Sequence, residues 1–187
     1  IRVVNRAIGG RSSRPFLTEG RWEAILKEAQ PGDFVLIQFG HNDPGAINDD
    51  SRARGTIRGI GEETEEIDNL LTKQKETVHT FGWYLRRYVR DAKEKGMTPI
   101  VLSYVPRCPR PGETPKALAP ASYRLWAQQV AEPEKAPYID LFDRIWSDYL
   151  KLTPEDIKTR YFCAADFTHT NAAGAEMNAD KVVDGIR

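Results

Sequence analysis

Apolar positions along the chain follow two patterns that take turns. Short runs have almost no polar interruption, and longer segments repeat an apolar residue every three or four positions. Residues 33–39, with Phe34-Val35-Leu36-Ile37 at their centre, and residues 98–103 are runs of the first kind, the signature of strands buried on both faces of a parallel sheet. Arg2-Val3-Val4 and Tyr138-Ile139-Asp140-Leu141 read as shorter strands. Trp22, Ile25 and Leu26 lie at helical spacing in a segment that starts at Ser12 or Ser13 and closes at Pro31-Gly32, so one helix is expected there. Val78, Phe81, Leu85, Tyr88, Val89 and Ala92 share one face of a helix expected over 75–95, with Gly96 as its stop. Further helices are expected over 122–132, 142–150, 154–161 and 172–186. Residues 44–66 show no period and are crowded with Asp, Arg, Gly and Glu, which predicts a long surface loop. Five prolines between 106 and 120 predict another.

Strand and helix therefore alternate, which predicts an α/β fold: a three-layer sandwich with a parallel sheet and helices on both faces. A length of 187 residues is that of one domain, taken here as 1–187. Charge adds a restriction, because 27 basic and 27 acidic residues cancel and leave no overall field toward nucleic acid or an anionic membrane. A small neutral substrate fits that balance better. No apolar stretch approaches the roughly 20 residues that span a bilayer. Two cysteines, Cys108 and Cys163, are too few for a disulfide scaffold or a zinc ribbon, and their spacing leaves both a disulfide and two free thiols open.

Two motifs carry candidate chemistry. Gly40-His41-Asn42-Asp43 follows the apolar run directly, placing a glycine, a side-chain amide and a carboxylate at the carboxyl end of a strand, where open α/β sheets bind ligands. Asp166-Phe167-Thr168-His169 sets a carboxylate three residues before an imidazole that it can orient as a general base. Plainer roles compete with each. His41 can orient its own loop through a hydrogen bond and Asp43 can cap the turn, while Ser12 and Ser13 can cap a helix. Arg11 and Arg14 can grip an acidic sugar or form structural ion pairs. His79 falls in a helical run, and Trp22, Trp83, Trp126 and Trp146 recur with aliphatic residues as core does.

Taken with Val3-Val4-Asn5-Arg6-Ala7-Ile8-Gly9-Gly10-Arg11-Ser12-Ser13-Arg14 and with Ala173-Gly174-Ala175, these motifs resemble those of the SGNH or GDSL hydrolase superfamily, and within it the rhamnogalacturonan acetylesterase group. The resemblance implies a flavodoxin-like sheet and hydrolysis of an ester by a Ser-His-Asp set without metal or organic cofactor. By position, it makes His169 the base and Asp166 its orienting partner, with the N–H of Gly10 and the side chain of Asn42 as oxyanion donors. His41, Asp43 and Arg11 then bind substrate or orient loops. It further implies an acetylated plant cell-wall polysaccharide as substrate, rhamnogalacturonan of pectin first, with neither nucleic acid nor membrane as a partner. A secreted or periplasmic location follows only from where such polymers lie, and no oligomeric state is indicated. One block is missing: neither Gly-Asp-Ser nor Gly-x-Ser-x-Gly occurs. The nucleophile strand, which the family places between the strands at 2–4 and 33–39, is thus expected outside this chain, leaving the chain nearly inactive alone. Two other readings stand beside this one. One is a metal-dependent hydrolase with His41, Asp43, Asp166 and His169 as ligands; the other is a carbohydrate-binding module without catalysis.

Overall fold

The computed structural model describes residues 2–110 and 122–187. Its centre is a parallel three-stranded sheet, β1 (Phe34–Gln38), β4 (Thr98–Leu102) and β5 (Tyr138–Ile139), in the order β1-β4-β5. Leu36 lies opposite Ile100 and Ile37 opposite Val101, so neighbouring strands present the same face at the same level. Ile37 and Val101 join a core with α1 (Ser13–Thr18), α2 (Arg21–Glu28), α3 (Phe81–Glu94) and α4 (Tyr123–Ala131), whose buried contributions include Phe16, Trp22, Tyr88, Val89 and Trp126. Ile100, Leu102 and Ile139 face the other way, onto α5 (Leu141–Tyr149), α6 (Pro154–Tyr161) and α7 (Ala172–Ile186). The result is the expected α/β sandwich with helices on both faces.

Four local expectations change. Residues 2–8 form no strand, and Val3 is 87% exposed, because a strand needs a ladder and the only strand partner of β1 among the described residues is β4. The helix expected at 12–30 is two, broken at Glu19-Gly20 where Gly20 takes a left-handed φ of 71°. The helix expected from Lys75 begins only at Phe81. Before it, β2 (Thr64–Asp68) and β3 (Lys75–His79) form an antiparallel hairpin with Glu65 opposite Val78 and Ile67 opposite Glu76. The run Lys75-Glu76-Thr77-Val78 alternates sides, burying Val78, and Thr80 starts α3 by accepting the Trp83 N–H at 3.0 Å. His79 thus ends a strand, its ring stacked on Trp83 at 3.7 Å, instead of lying in a helix. The proline-rich loop is irregular through 110, and the rest of it, 111–121, lies outside the described residues. Cys108 and Cys163 are free thiols.

One side of the sheet is incompletely covered. Phe34 and Leu36 point to the α5–α7 side, yet they are 70% and 48% exposed, because those helices pack over β4 and β5.

Candidate active site

Both motifs lie beyond the carboxyl ends of strands, and backbone chemistry explains how each is held. After β1, Gly40 adopts φ 126°, and a Cβ there would sit 2.9 Å from Tyr104 Cδ1, so a side chain is excluded twice over. Asp43 closes the turn. One of its carboxylate oxygens accepts the Gly40 N–H at 2.9 Å, and the other accepts the Ser13 N–H at 3.0 Å and the Ser13 hydroxyl at 2.5 Å. Asn42 donates its side-chain amide to the Arg11 carbonyl at 2.9 Å, and Arg54 donates to the Gly10 carbonyl at 2.9 Å. The Gly9-Gly10-Arg11 loop is therefore tied to the Gly40–Asp43 turn.

At the other motif, one oxygen of Asp166 accepts the backbone N–H groups of Thr168 and His169, each at 2.7 Å, and the second meets His169 Nδ1 at 2.8 Å. The His169 N–H and imidazole, with the Thr168 N–H, hold the Asp166 carboxyl well below the usual carboxylate range. An ionised Asp166 accepts a hydrogen bond from Nδ1–H, which leaves the lone pair on Nε2 of a ring whose side chain is 78% exposed. The loop is anchored from outside. Lys158, in the last turn of α6, donates its ammonium to the carbonyls of Cys163, Ala164 and Asp166 and lies 4.9 Å from the Phe167 ring centre. The Cys163 N–H reaches the His169 carbonyl at 2.8 Å.

Residues 105–108 join the two motifs. His41 Nε2 meets the Val105 carbonyl at 2.8 Å, and the Cys108 N–H donates to the Phe167 carbonyl at 2.9 Å. Burial pushes the His41 imidazole below its usual range, against the Val105 hydrogen bond, and the nearby Arg107 charge acts in the same direction as burial. His41 is thus a neutral donor to the Val105 carbonyl. Beside it opens a cavity of about 450 Å³ lined by Gly40, His41, Pro44, Tyr104, Arg107, Tyr123 and Phe142.

Other expectations are revised at this site. Ser12 and Ser13 do not cap α1 through their side chains: Ser12 donates to the Arg54 carbonyl at 2.5 Å and Ser13 to Asp43. Arg11 pairs with Glu19 at 3.0 Å. Arg14 is buried at 1% exposure and is held by Glu76 and by the carbonyls of Ile47 and Gly55, so neither arginine is poised for a sugar acid. The four residues of the metal-hydrolase reading do not form one ligand set. Asp43 is enclosed with Ser13 and Gly40, His41 is committed to Val105, and among the described residues no cluster of three or more His, Cys, Asp or Glu is placed to hold an ion. Sequence reasoning missed Lys158 and Arg107. A basic residue in the last turn of the helix before the Asp166 loop was a legible signal for the first; the proline-rich surroundings of the second carry none.

Asp43 yields a pH prediction. Burial raises its carboxyl to about 6, against partial compensation from the Ser13 and Gly40 hydrogen bonds. Between about pH 6 and pH 4 the folded protein keeps a proton that the unfolded chain has lost, so this group's contribution to stability rises as pH falls through that window. The stability difference between wild type and Asp43→Asn, from urea titrations, is expected to shift in favour of wild type by on the order of 3 kcal/mol from pH 7 to pH 4. A difference independent of pH would mean that Asp43 titrates normally.

Residues 1–177 match the family model described as GDSL-like Lipase/Acylhydrolase family. Over 186 residues the chain is 33% identical to a rhamnogalacturonan acetylesterase of Emericella nidulans, covering all of this chain and 74% of that protein. It is 30% identical to a probable rhamnogalacturonan acetylesterase, YesY, of Bacillus subtilis, covering all of this chain and 77% of the relative. Among solved structures, the Bacillus subtilis protein YxiM superposes with a TM-score of 0.73 at 26% identity, over 99% of this chain and 45% of that one. Axe2, an acetylxylan esterase from Geobacillus stearothermophilus, shares the fold with a TM-score of 0.63 at 19% identity, over the whole of this chain and 72% of its own.

Proposed function

The chain belongs to the GDSL-like lipase/acylhydrolase family, and from that premise we propose that it is the greater part of a carbohydrate esterase that removes acetyl groups from plant cell-wall polysaccharide, acetylated rhamnogalacturonan first. The observation that carries the reading is the Asp166–His169 pair. An imidazole is locked by a carboxylate at Nδ1 and left open at Nε2, on a loop tied through residues 105–108 to the turn that bears Asn42. In this mechanism Nε2 of His169 takes the proton of a serine as its oxygen attacks the acetyl carbon, then returns it to the departing sugar hydroxyl. Asn42 and the Gly10 N–H receive the charge that develops on the acyl oxygen. Each such donor contributes about 10² to 10³ in rate. Water activated by the same nitrogen releases acetate.

The attacking serine is assigned to a segment outside these 187 residues. All six serines here are engaged elsewhere: Ser12 with Arg54, Ser13 with Asp43, Ser51 with Asp49, Ser103 with Asp140, Ser147 with the Asp143 carbonyl, and Ser122 at the start of α4. By itself the chain is expected to keep only the weak catalysis that binding and oxyanion donors provide. The test is a fluorophosphonate probe on the natural full-length protein, with the labelled peptide identified by mass spectrometry. Label on a serine other than these six supports the mechanism. A folded protein that releases acetate without taking up label would refute it, and label on Ser12 or Ser13 would move the nucleophile into this chain.

A further inference from the structure

The cavity beside the two motifs has an unbalanced lining. Tyr104, Tyr123 and Phe142 supply ring surface, His41 is held neutral by burial, and no carboxylate lines it among the described residues, while Arg107 brings a permanent cation. Four other arginines are occupied. Arg124 is clamped by Asp140 at 2.8 Å and by Asp143 at 3.3 Å, Arg54 donates to Gly10, and Arg11 and Arg14 have their glutamates. The Arg107 guanidinium makes no hydrogen bond or ion pair among the described residues. Its base is nevertheless fixed, because the backbone on either side is committed, Val105 to His41 and Cys108 to Phe167. An exposed, unpaired arginine on a flexible loop would be ordinary surface. Here the backbone is pinned at both flanks, the charge borders an aromatic cleft, and its field reaches His41 at the mouth of the site.

We propose that Arg107 is a specificity-determining residue of this cleft, pairing its guanidinium with the carboxylate of a uronic acid unit in the bound glycan while the aromatic rings pack against the sugar faces. A planar fork of N–H donors matches a carboxylate in two parallel hydrogen bonds, which a neutral sugar has no group to accept in the same way. The ligand class is then an acidic oligosaccharide and not a neutral xylan fragment. The inference rests on the carbohydrate-esterase reading for the kind of molecule that enters the cleft, but its test reads binding alone, so the serine mechanism can fail without deciding it.

The experiment is calorimetric titration of the natural full-length protein, its Arg107→Gln variant and its Arg107→Lys variant with trigalacturonate and with xylotriose, at low and at high salt. Wild type is expected to bind trigalacturonate at least tenfold tighter than xylotriose, with the preference shrinking as salt rises. Arg107→Gln should erase the preference and leave xylotriose binding within about twofold, and the lysine variant should keep only part of it, since an ammonium cannot form the paired bonds. Because Arg107 supports no other side chain among the described residues, both variants should melt with wild type. Equal wild-type affinities for the two sugars, no binding of either, trigalacturonate affinity unchanged in Arg107→Gln, or an equal loss for both sugars would each overturn the proposal.

Discussion

Replacing His169 by alanine in the full-length protein is expected to lower acetate release by about 10⁴-fold while leaving the melting temperature essentially unchanged. The two halves of this expectation come from separate observations. Activity should collapse because Asp166 orients one ring nitrogen and leaves the other as the only positioned base on the loop. Stability should hold because the ring is largely exposed and the loop is fastened by groups that the substitution spares: the Lys158 ammonium, the Cys108 and Cys163 N–H groups, and the Asx-type bonds of Asp166 to Thr168 and residue 169. The loss should fall on kcat for an aryl acetate as well as for a polysaccharide, since the base acts on the nucleophile and not on the sugar. Wild-type turnover in this variant would remove His169 from the mechanism.

The largest effect on stability is expected from Arg14→Met. Its buried guanidinium donates to both oxygens of Glu76 on β3, at 2.7 and 2.6 Å, and to the carbonyls of Ile47 at 2.6 Å and Gly55 at 2.9 Å in the long loop. One side chain on α1 thus secures the loop and the hairpin together. Methionine fills similar volume but leaves two carbonyls without their arginine donor and a half-buried carboxylate with only the Asn69 side-chain amide. Breaking a buried pair from one side costs about 3–5 kcal/mol. For a chain of this length that lowers the melting midpoint by about 10 °C. The double variant Arg14→Met/Glu76→Leu should recover part of the loss, because it removes the stranded charge. A single-variant shift below about 2 °C would show that the cluster contributes little.

What could be read in the sequence follows physical range. Phe34–Ile37 and Thr98–Leu102 were legible as strands because a run with no polar interruption has few alternatives, but burial on both faces holds for the second and not for the first; α3 was legible from Phe81 onward because its apolar stripe is long. The β2–β3 hairpin was not. Half of its strand residues are charged, and its pairing depends on partners about ten positions away and on Arg14, more than sixty positions from Glu76. Val78 fits a helical stripe and a strand equally well, and only the Thr80 cap decides where α3 begins. At the site, Asp166 and His169 were readable because their relation is local, three residues apart. The bond from Ser13 to Asp43 and that from His41 to Val105 join distant stretches and belong to the tertiary structure alone. Arg11 and Arg14 looked available for a sugar acid only because nothing in sequence shows which carboxylates fold against them; Arg107, unremarked in its proline-rich surroundings, lines the cavity without an ion pair among the described residues.

The outer rim of β1 has a bearing on how this polypeptide behaves in company. Among the described residues no strand pairs with β1 on the side away from β4, and Phe34 and Leu36 are exposed beside that edge, where the segment proposed to carry the serine would lie. Lys75 and the glutamates of the hairpin act as gatekeepers for β2 and β3, but β1 has none, its five residues being Phe, Val, Leu, Ile and Gln. Stripped of that segment, the ribbon that seats the Asn42 turn is where two molecules would first adhere, so the covering segment would protect solubility as well as complete the site.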